Sequence, residues 1–542
     1  MLVWFLFLFV TSIYGRVPLD HHEDIVSNNL ITDTKRAQTD ATISNHGETN
    51  TLDNSVLTNN VVPTNSANAT RKTQCQALLT LLKSADPTIC EQQNNIDNGT
   101  ALILTQYLKE GKVKEARSAC KVDPKYFLGF KSYSGFLTVN ETYNSNTFFW
   151  YFPVLNKSVN ESPWMIWLQG GPGASSLIGL FDEFGPFTYS SGGLRPNPFT
   201  WLRNHSLLFI ENPVGAGYSF TDHVDGYPTD MATYSSHLFT ALKQFLQIFP
   251  ELKTVPLYLA GESYAGKYVP AMAMEIHKRK EKLGLDINLK GLILGNAYMD
   301  PDMIAHLPWT FYYFGLLEKE QIESVRPLVN GFQQDIAANR SIEAKNKWNN
   351  LVTILLFLTH QKHGYNFLRD EMQVGRYSAY LQRSEVKRAL HVGDIHYSAV
   401  NFTLNNKMAP DFLSTTKPLL ERLLEHYRVL AYCGQLDQML PCVFTSENYR
   451  TWRWSGTDAF LQATRYPYIY NNRLWGYHKS GGNLTEVVVR GAGHMVPLDA
   501  PAPAQNMITQ WTHERPISRR YGIYDGSYVQ EYLKNNTVVQ YL

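Results

Sequence analysis

The chain has 542 residues, enough for a large hydrophobic core and for more than one compact domain. A hydrophobic share of 44% with a charged share of 18% fits a globular chain and excludes a wholly disordered or fibrous one. The formal net charge of +1 gives no electrostatic basis for binding nucleic acid or an anionic membrane.

After Met1 the chain runs apolar from Leu2 to Val10, too short to span a bilayer, and small Ser12 and Gly15 follow. Residues 1–15 therefore read as a secretory signal peptide, although no Lys or Arg precedes the apolar run; a buried N-terminal strand is the alternative. Residues 16–73 are rich in Asn, Thr, Ser and Asp and bury too little apolar surface to offset chain entropy, which predicts disorder. Residues 74–126 show helical spacing at Leu78, Leu79, Leu81 and Leu82 and again from Leu102 to Leu108. This is either a removable pro-piece or a permanent helical part.

From residue 127 the pattern changes to strands. Ser132–Val139 and Thr147–Val154 read as a pair, followed by Trp164–Leu168, Ser206–Ile210, Pro256–Ala260, Leu289–Leu294, Val429–Tyr432 and Glu486–Val489. Helical faces lie between them: Leu238, Phe239, Leu242, Phe245, Leu246 and Phe249 before Pro250, then Leu419, Leu420, Leu423 and Leu424. Alternation of this kind predicts an α/β fold with a mostly parallel central sheet flanked by helices, over 127–300 and 393–526. Residues 301–392 break the rhythm with helical spacing at Leu351, Leu355, Leu356 and Leu358 and read as a cap inserted over the sheet's carboxyl edge. Residues 527–542 form a tail. No stretch after the leader is long and apolar enough for a membrane helix.

Five cysteines (Cys75, Cys90, Cys120, Cys433 and Cys442) allow two bridges and leave one thiol over. Cys433 with Cys442, and two of the first three, are the plausible pairs. Asn-x-Ser/Thr acceptors at Asn68, Asn98, Asn140, Asn156, Asn160, Asn204, Asn339, Asn401, Asn483 and Asn535 agree with passage through the secretory pathway, to secretion or the lysosome.

The chemistry centres on Leu259-Ala-Gly-Glu-Ser-Tyr-Ala-Gly-Lys-Tyr-Val-Pro270. An apolar strand leads in, an apolar helix leads out with Pro270 expected in its first turn, and Ser263 sits on the tight turn between small residues. That is the pattern of a nucleophile elbow, the strand-turn-helix serine of α/β-hydrolases. A serine hydroxyl needs a base to take its proton, and the base needs an orienting acid. Asp437, in Tyr432-Cys-Gly-Gln-Leu-Asp437, and His494, in Gly491-Ala-Gly-His494, both follow strands and keep the chain order Ser, Asp, His. Alone, the Asp would be a turn former and the His a core residue. Together, at three strand ends, they read as one site. Gln169-Gly-Gly-Pro-Gly-Ala-Ser-Ser176 is a glycine loop after a strand, and the N–H groups of Gly171 and Tyr264 would form an oxyanion hole. No Gly-Lys-Ser/Thr follows it, which argues against a nucleotide loop. Glu262 would repel a developing oxyanion unless it shares a proton with a second acid such as Glu183, and the pair could then bind a substrate carboxylate. Glu183 reads equally as a solvated surface acid.

Four segments, Trp167–Ser176, Phe209–Phe220, Gly261–Gly266 and Gly491–Pro497, together resemble the serine carboxypeptidase family over about residues 132–522. Gln169 and the Gly434–Asp437 wording are most similar to its vitellogenic-like branch. The resemblance implies an α/β-hydrolase that releases single C-terminal residues at acidic pH through an acyl-enzyme, without metal or cofactor, from peptides or proteins with a free C-terminus. It implies Ser263, Asp437 and His494 as triad, Gly171 and Tyr264 as oxyanion hole, Gln169, Gly170, Glu183 and Glu262 as carboxylate clamp, and Met495 in the leaving-residue pocket. The chain departs from most relatives in having Gln169 for Asn, Ala174 for a frequent Cys, and no cysteine between Cys120 and Cys433. An acyltransferase or esterase on the same fold, and a non-catalytic protective protein, are the competing readings. Oligomeric state is left open, with a homodimer among the options.

Overall fold

A computed structural model describes residues 98–190, 192–283, 287–372 and 374–518. The leader, the polar segment, the first part of the helical segment, the C-terminal tail, Cys75, Cys90, Asn68 and Asn535 lie outside the described residues.

The strands are β1 (Tyr133–Asn140), β2 (Ser145–Phe152), β3 (Trp164–Leu168), β4 (Phe187–Ser190), β5 (Gly193–Pro196), β6 (Ser206–Ile210), β7 (Leu257–Glu262), β8 (Leu289–Gly295), β9 (Arg428–Gly434), β10 (Tyr466–Tyr470), β11 (Arg473–Gly481) and β12 (Leu484–Val489). Among the described residues ten of them form one sheet in the order β1-β2-β6-β3-β7-β8-β9-β12-β11-β10, with β4 and β5 as a separate hairpin. The inner strands from β6 through β12 pair in parallel, and the outer strands at both ends pair antiparallel. Strands β3, β6, β7 and β12 are buried at every position, because helices cover both faces of the sheet.

The principal helices are α1 (Leu104–Lys109), α2 (Val113–Ala119), α3 (Met231–Ile248), α4 (Ala265–Leu283), α5 (Leu307–Tyr313), α6 (Lys319–Ala337), α7 (Ser341–Leu358), α8 (Lys417–Leu424), α9 (Cys442–Arg450) and α10 (Pro501–Thr512). Helix α3 starts where Asp230 accepts the Thr233 N–H at 2.9 Å, and it packs with α4 on one face of the sheet. Helix α10 covers the other face through Met507, Ile508 and Trp511. Helices α1 and α2 dock on the β1 edge, where Ser134 N donates to Cys120 O at 2.8 Å. Cys120 is a buried free thiol, and Cys433 is bonded to Cys442.

Pro270 departs from expectation. It is the sixth residue of α4, inside the helix rather than in its first turn. The carbonyl it leaves without an N–H, that of Gly266, accepts the Thr416 hydroxyl at 3.1 Å instead, so the usual cost of an interior proline is offset by a side chain just ahead of α8. Two sequons are also occupied structurally. Asn401 caps the helix at Phe402–Lys407 and donates its amide to Gly215 O at 2.9 Å, and Asn483 donates its amide to Leu424 O at 2.9 Å.

Candidate active site

The candidate triad and the glycine loop follow parallel strands at the same sheet edge. Gln169 follows β3, Ser263 follows β7, Asp437 lies on the loop after β9, and His494 lies on the loop after β12. A parallel sheet collects these carboxyl ends on one side, so residues distant in sequence meet there.

Ser263 is held at φ +62°, a left-handed conformation that a non-glycine residue adopts only when its surroundings dictate it. They do. Ser263 N donates to Gly295 O at 3.0 Å, and its carbonyl accepts Gly266 N at 2.9 Å and Tyr298 N at 2.8 Å. A Cβ on Gly261 would stand 2.6 Å from the Ala265 Cβ and 2.7 Å from Leu168 O, and one on Gly266 would stand 2.7 Å from Tyr298 O. The turn closes only because those neighbours are glycine. Within Gly261–Pro270 Ser263 alone is partly exposed.

Asp437 and His494 are joined by a buried hydrogen bond, His494 Nδ1–H to Asp437 Oδ2 at 2.8 Å. A carboxylate only accepts, so this contact fixes the tautomer of the neutral ring, with the proton on Nδ1 and the lone pair on Nε2. Asp437 also accepts Asn296 Nδ2 on Oδ2 at 2.6 Å, and the N–H groups of Met439 and Leu440 on Oδ1 at 2.8 and 3.2 Å. The Cys433–Cys442 bridge closes the loop that carries it.

The glycine loop packs against the elbow. A Cβ on Gly170 would lie 2.5 Å from Tyr264 N and 2.6 Å from Ser263 Cβ. Gly171 is exposed at φ +107°, and no hydrogen bond within the described residues takes its N–H or that of Tyr264. Two neighbouring backbone donors beside a serine are the groups an oxyanion requires.

Glu183 is 3% exposed, which removes the reading of it as a surface acid; it ends a π-helical turn, Gly179–Glu183. Its carboxyl meets that of Glu262, itself 1% exposed. Gln169 donates Nε2–H to Glu262 Oε1 at 3.0 Å and accepts the Trp167 indole N–H on Oε1 at 2.8 Å. As two carboxylates the acids would leave both Glu183 oxygens and Glu262 Oε2 without a donor. With one proton between them the contact becomes a hydrogen bond. Burial drives both titrations upward, and the Glu183 charge drives Glu262 further, so the pair holds a proton well above the usual carboxylate range. Met495, 6% exposed, follows His494 directly.

Several residues at this site were not singled out from the sequence. Asn296 follows β8 as part of Gly295-Asn296, a strand-end signal that was legible. The Tyr365 ring lies 5.1 Å from the His494 ring, and His494 N donates to Tyr365 O at 2.6 Å. Asn366 Nδ2 and Gly493 N share Asp499 Oδ2 at 2.8 and 2.7 Å, while Arg369 pairs with Asp499 Oδ1 at 2.7 Å. These contacts tie the inserted segment to the His494 loop, and no periodicity announces them. A cleft of about 730 Å³ is lined by Thr310, Tyr313, Val443, Arg465 and Glu486, among others, and by none of the candidate residues.

Comparison with known proteins identifies the family. The family model described as serine carboxypeptidase matches residues 121–514. The venom serine carboxypeptidase of Apis mellifera is 37% identical over 79% of this chain and 94% of its own length. The vitellogenic carboxypeptidase of Aedes aegypti is 36% identical over 77% and 91%, and the probable serine carboxypeptidase CPVL of Homo sapiens is 36% identical over 77% and 90%. Among solved structures, Kex1(delta)p, a prohormone-processing carboxypeptidase from Saccharomyces cerevisiae, shares the fold with a TM-score of 0.65 and 24% identity, over 73% of this chain and 96% of that one. A family match across most of the chain, together with these vitellogenic-like relatives, places the protein in the serine carboxypeptidase family of hydrolases.

Proposed function

We propose the residue roles through which this serine carboxypeptidase removes single C-terminal residues at acidic pH. Ser263 Oγ attacks the carbonyl carbon of the last peptide bond while His494 Nε2 takes its proton, with Asp437 holding the ring and stabilising its charged form. The N–H groups of Gly171 and Tyr264 receive the oxyanion, and losing one such donor costs about 10²–10³ in rate. Collapse of the tetrahedral intermediate breaks the C–N bond, His494 returns the proton to the departing amine, and water then releases the acyl group from Ser263.

The Glu183–Glu262 pair carries the carboxypeptidase reading. A proton-sharing acid pair beside the nucleophile can donate to a carboxylate, and Gln169 and Gly170 complete the clamp. Met495 helps shape the pocket for the leaving residue. The leader pattern and the sequons support entry into the secretory pathway, and among the described residues no helix is long and apolar enough to cross a membrane.

The test is hydrolysis of an N-blocked dipeptide with a free carboxylate from about pH 4 to about pH 8, beside the same peptide as its C-terminal amide. Preference for the free acid, rising toward acid pH and lost in Ser263→Ala, is expected. Equal turnover of acid and amide would favour an esterase or acyltransferase instead.

A further inference from the structure

The segment Phe209-Ile-Glu-Asn-Pro-Val-Gly-Ala-Gly-Tyr-Ser-Phe220 contributes nothing to the roles above, yet it carries a fully buried carboxylate. Glu211 follows β6 at the same sheet edge as Ser263. Among the described residues no Lys, Arg or His pairs with it. Its charge is met by dipoles alone. Oε1 accepts the Ser175 hydroxyl at 2.7 Å, Oε2 accepts Ser176 N–H at 2.8 Å, and the Tyr218 N–H adds a third donor. Gly217 has no side chain because the Glu211 carboxylate fills the place of a Cβ.

All of this bears on the glycine loop. Ser176 passes the anchorage back to the start of the loop: its hydroxyl donates to Ile210 O at 2.6 Å and accepts Gln169 N–H at 3.1 Å. Within the loop Ala174 N donates to Gly170 O at 3.2 Å. The loop is thus a short arch whose two ends meet at Ser176, and Ser176 rests on Glu211. Gly171 lies at the crown. Ser175 is the second support. It accepts the Tyr397 hydroxyl at 2.8 Å, and Tyr397 meets the Tyr377 hydroxyl at 2.9 Å. Because the carboxylate can only accept, the hydrogens run one way, from Tyr377 to Tyr397 to Ser175 to Glu211. Every hydroxyl in that line is satisfied while Glu211 is an acceptor.

We infer that Glu211 is a positioning residue for the acyl-transfer step, a buried acceptor that holds the Gly170–Ser176 arch so that the Gly171 N–H points at the developing oxyanion. The inference rests on the assignment of Ser263 as nucleophile and Gly171 as oxyanion donor. It separates the loop's two duties, because a misaimed oxyanion donor slows every acyl substrate, whereas a disturbed clamp slows only substrates with a free carboxylate.

Glu211→Gln keeps the shape but turns one acceptor into a donor, facing a hydroxyl and two N–H groups that need acceptors. Displacement of the crown by a fraction of an ångström is expected to lower kcat by about ten- to a hundredfold with KM within about threefold. The fall should be alike for an N-blocked dipeptide and for an N-blocked amino-acid ethyl ester, which has no free carboxylate. Ser175→Ala, which removes that hydroxyl's bonds to Glu211, Tyr397 and Leu177 N and leaves the carboxylate on Ser176, should give about a five- to tenfold fall with the same parity and decides the matter if the Glu211 variant does not fold. Unchanged kcat in a folded variant, or a fall confined to the dipeptide, overturns the inference. Ser263→Ala is run alongside: its inactivity leaves the nucleophile assignment standing when the Glu211 result is negative, and its full activity removes both.

Discussion

Asn296 donates its side-chain amide to the same oxygen of Asp437 that receives the His494 ring. Asp437 is therefore fixed from two sides, with the residue just after β8 opposing the imidazole. Asn296→Ala removes that restraint but leaves the Met439 and Leu440 donors on the other oxygen. The expected outcome is a fall in kcat of about tenfold with KM unchanged, seen in steady-state kinetics on an N-blocked dipeptide. A variant as fast as the parent would show that the two backbone donors suffice.

The carboxyl pair predicts how substrate affinity follows pH. While Glu183 and Glu262 hold a shared proton the clamp can donate to a substrate carboxylate. Once both ionise, it repels one. KM for a free-acid substrate should therefore climb as pH rises through about 8 and beyond, and Glu183→Gln should flatten the climb because the amide cannot ionise. A KM–pH curve identical in parent and variant would remove Glu183 from the clamp.

Stability should also shift with pH, in a direction set by burial. Desolvation raises Asp182 to about 7 and Glu183 to about 8, and moves Glu262 up as well. Such groups take up protons on folding between their unfolded value, near 4, and the raised folded one, so folding gains as pH falls through that window. His205 and His237 act oppositely. Burial lowers them to about 3 and about 4, so below about pH 6.5 the unfolded chain alone protonates them and folding loses. Between pH 7.5 and 5.5 the three acids gain over most of the interval, and the lowered histidines, His363, His391, His478 and His513 included, lose over its lower part. Tm measured by calorimetry should be higher at pH 5.5 than at pH 7.5, and the difference should shrink in Glu183→Gln. An inverted order would mean that the histidines dominate.

Much of this was legible in the sequence, and the reasons differ by region. β3 and β6 match the expected bounds because fully buried parallel strands are short apolar runs with clear ends. β10 and β11 were missed: Tyr466-Pro-Tyr-Ile-Tyr470 contains a proline, and β11 alternates in burial around Gly476. The elbow, Asp437 and His494 were visible as types in order. The inserted residues that reach His494 were not, because Tyr365, Asn366 and Arg369 act through single contacts rather than through a repeating face. Pro270 was misplaced because its compensation comes from Thr416, a residue 150 positions away.

Covalent modification gives an independent check of the surface. Asn401 and Asn483 spend their amide nitrogens on backbone carbonyls, whereas Asn156, Asn160 and Asn339 are exposed. Glycopeptide mapping of the protein expressed through a eukaryotic secretory pathway should find sugar among the last three and none on Asn401. Alkylation should likewise spare Cys120 in the native protein, since burial pushes its thiol up to about 12, and reach it only after unfolding. Glycan on Asn401, or native alkylation of Cys120, would contradict the packing described.

The glycine loop is made early in synthesis but is held by residues made much later. Ala399 O receives Ser175 N, Asn401 N meets Gly173 O, and Asn405 reaches Pro172 O across 233 residues. A ribosome-bound chain carrying the nucleophile turn and the whole of β3 through β8 still lacks the supports of that loop, in addition to Asp437 and His494. On the proposed roles, a product cut short before residue 399 would lack the supports of the oxyanion loop together with the base and its orienting acid, and is expected to have no acyl site at all rather than a weakened one.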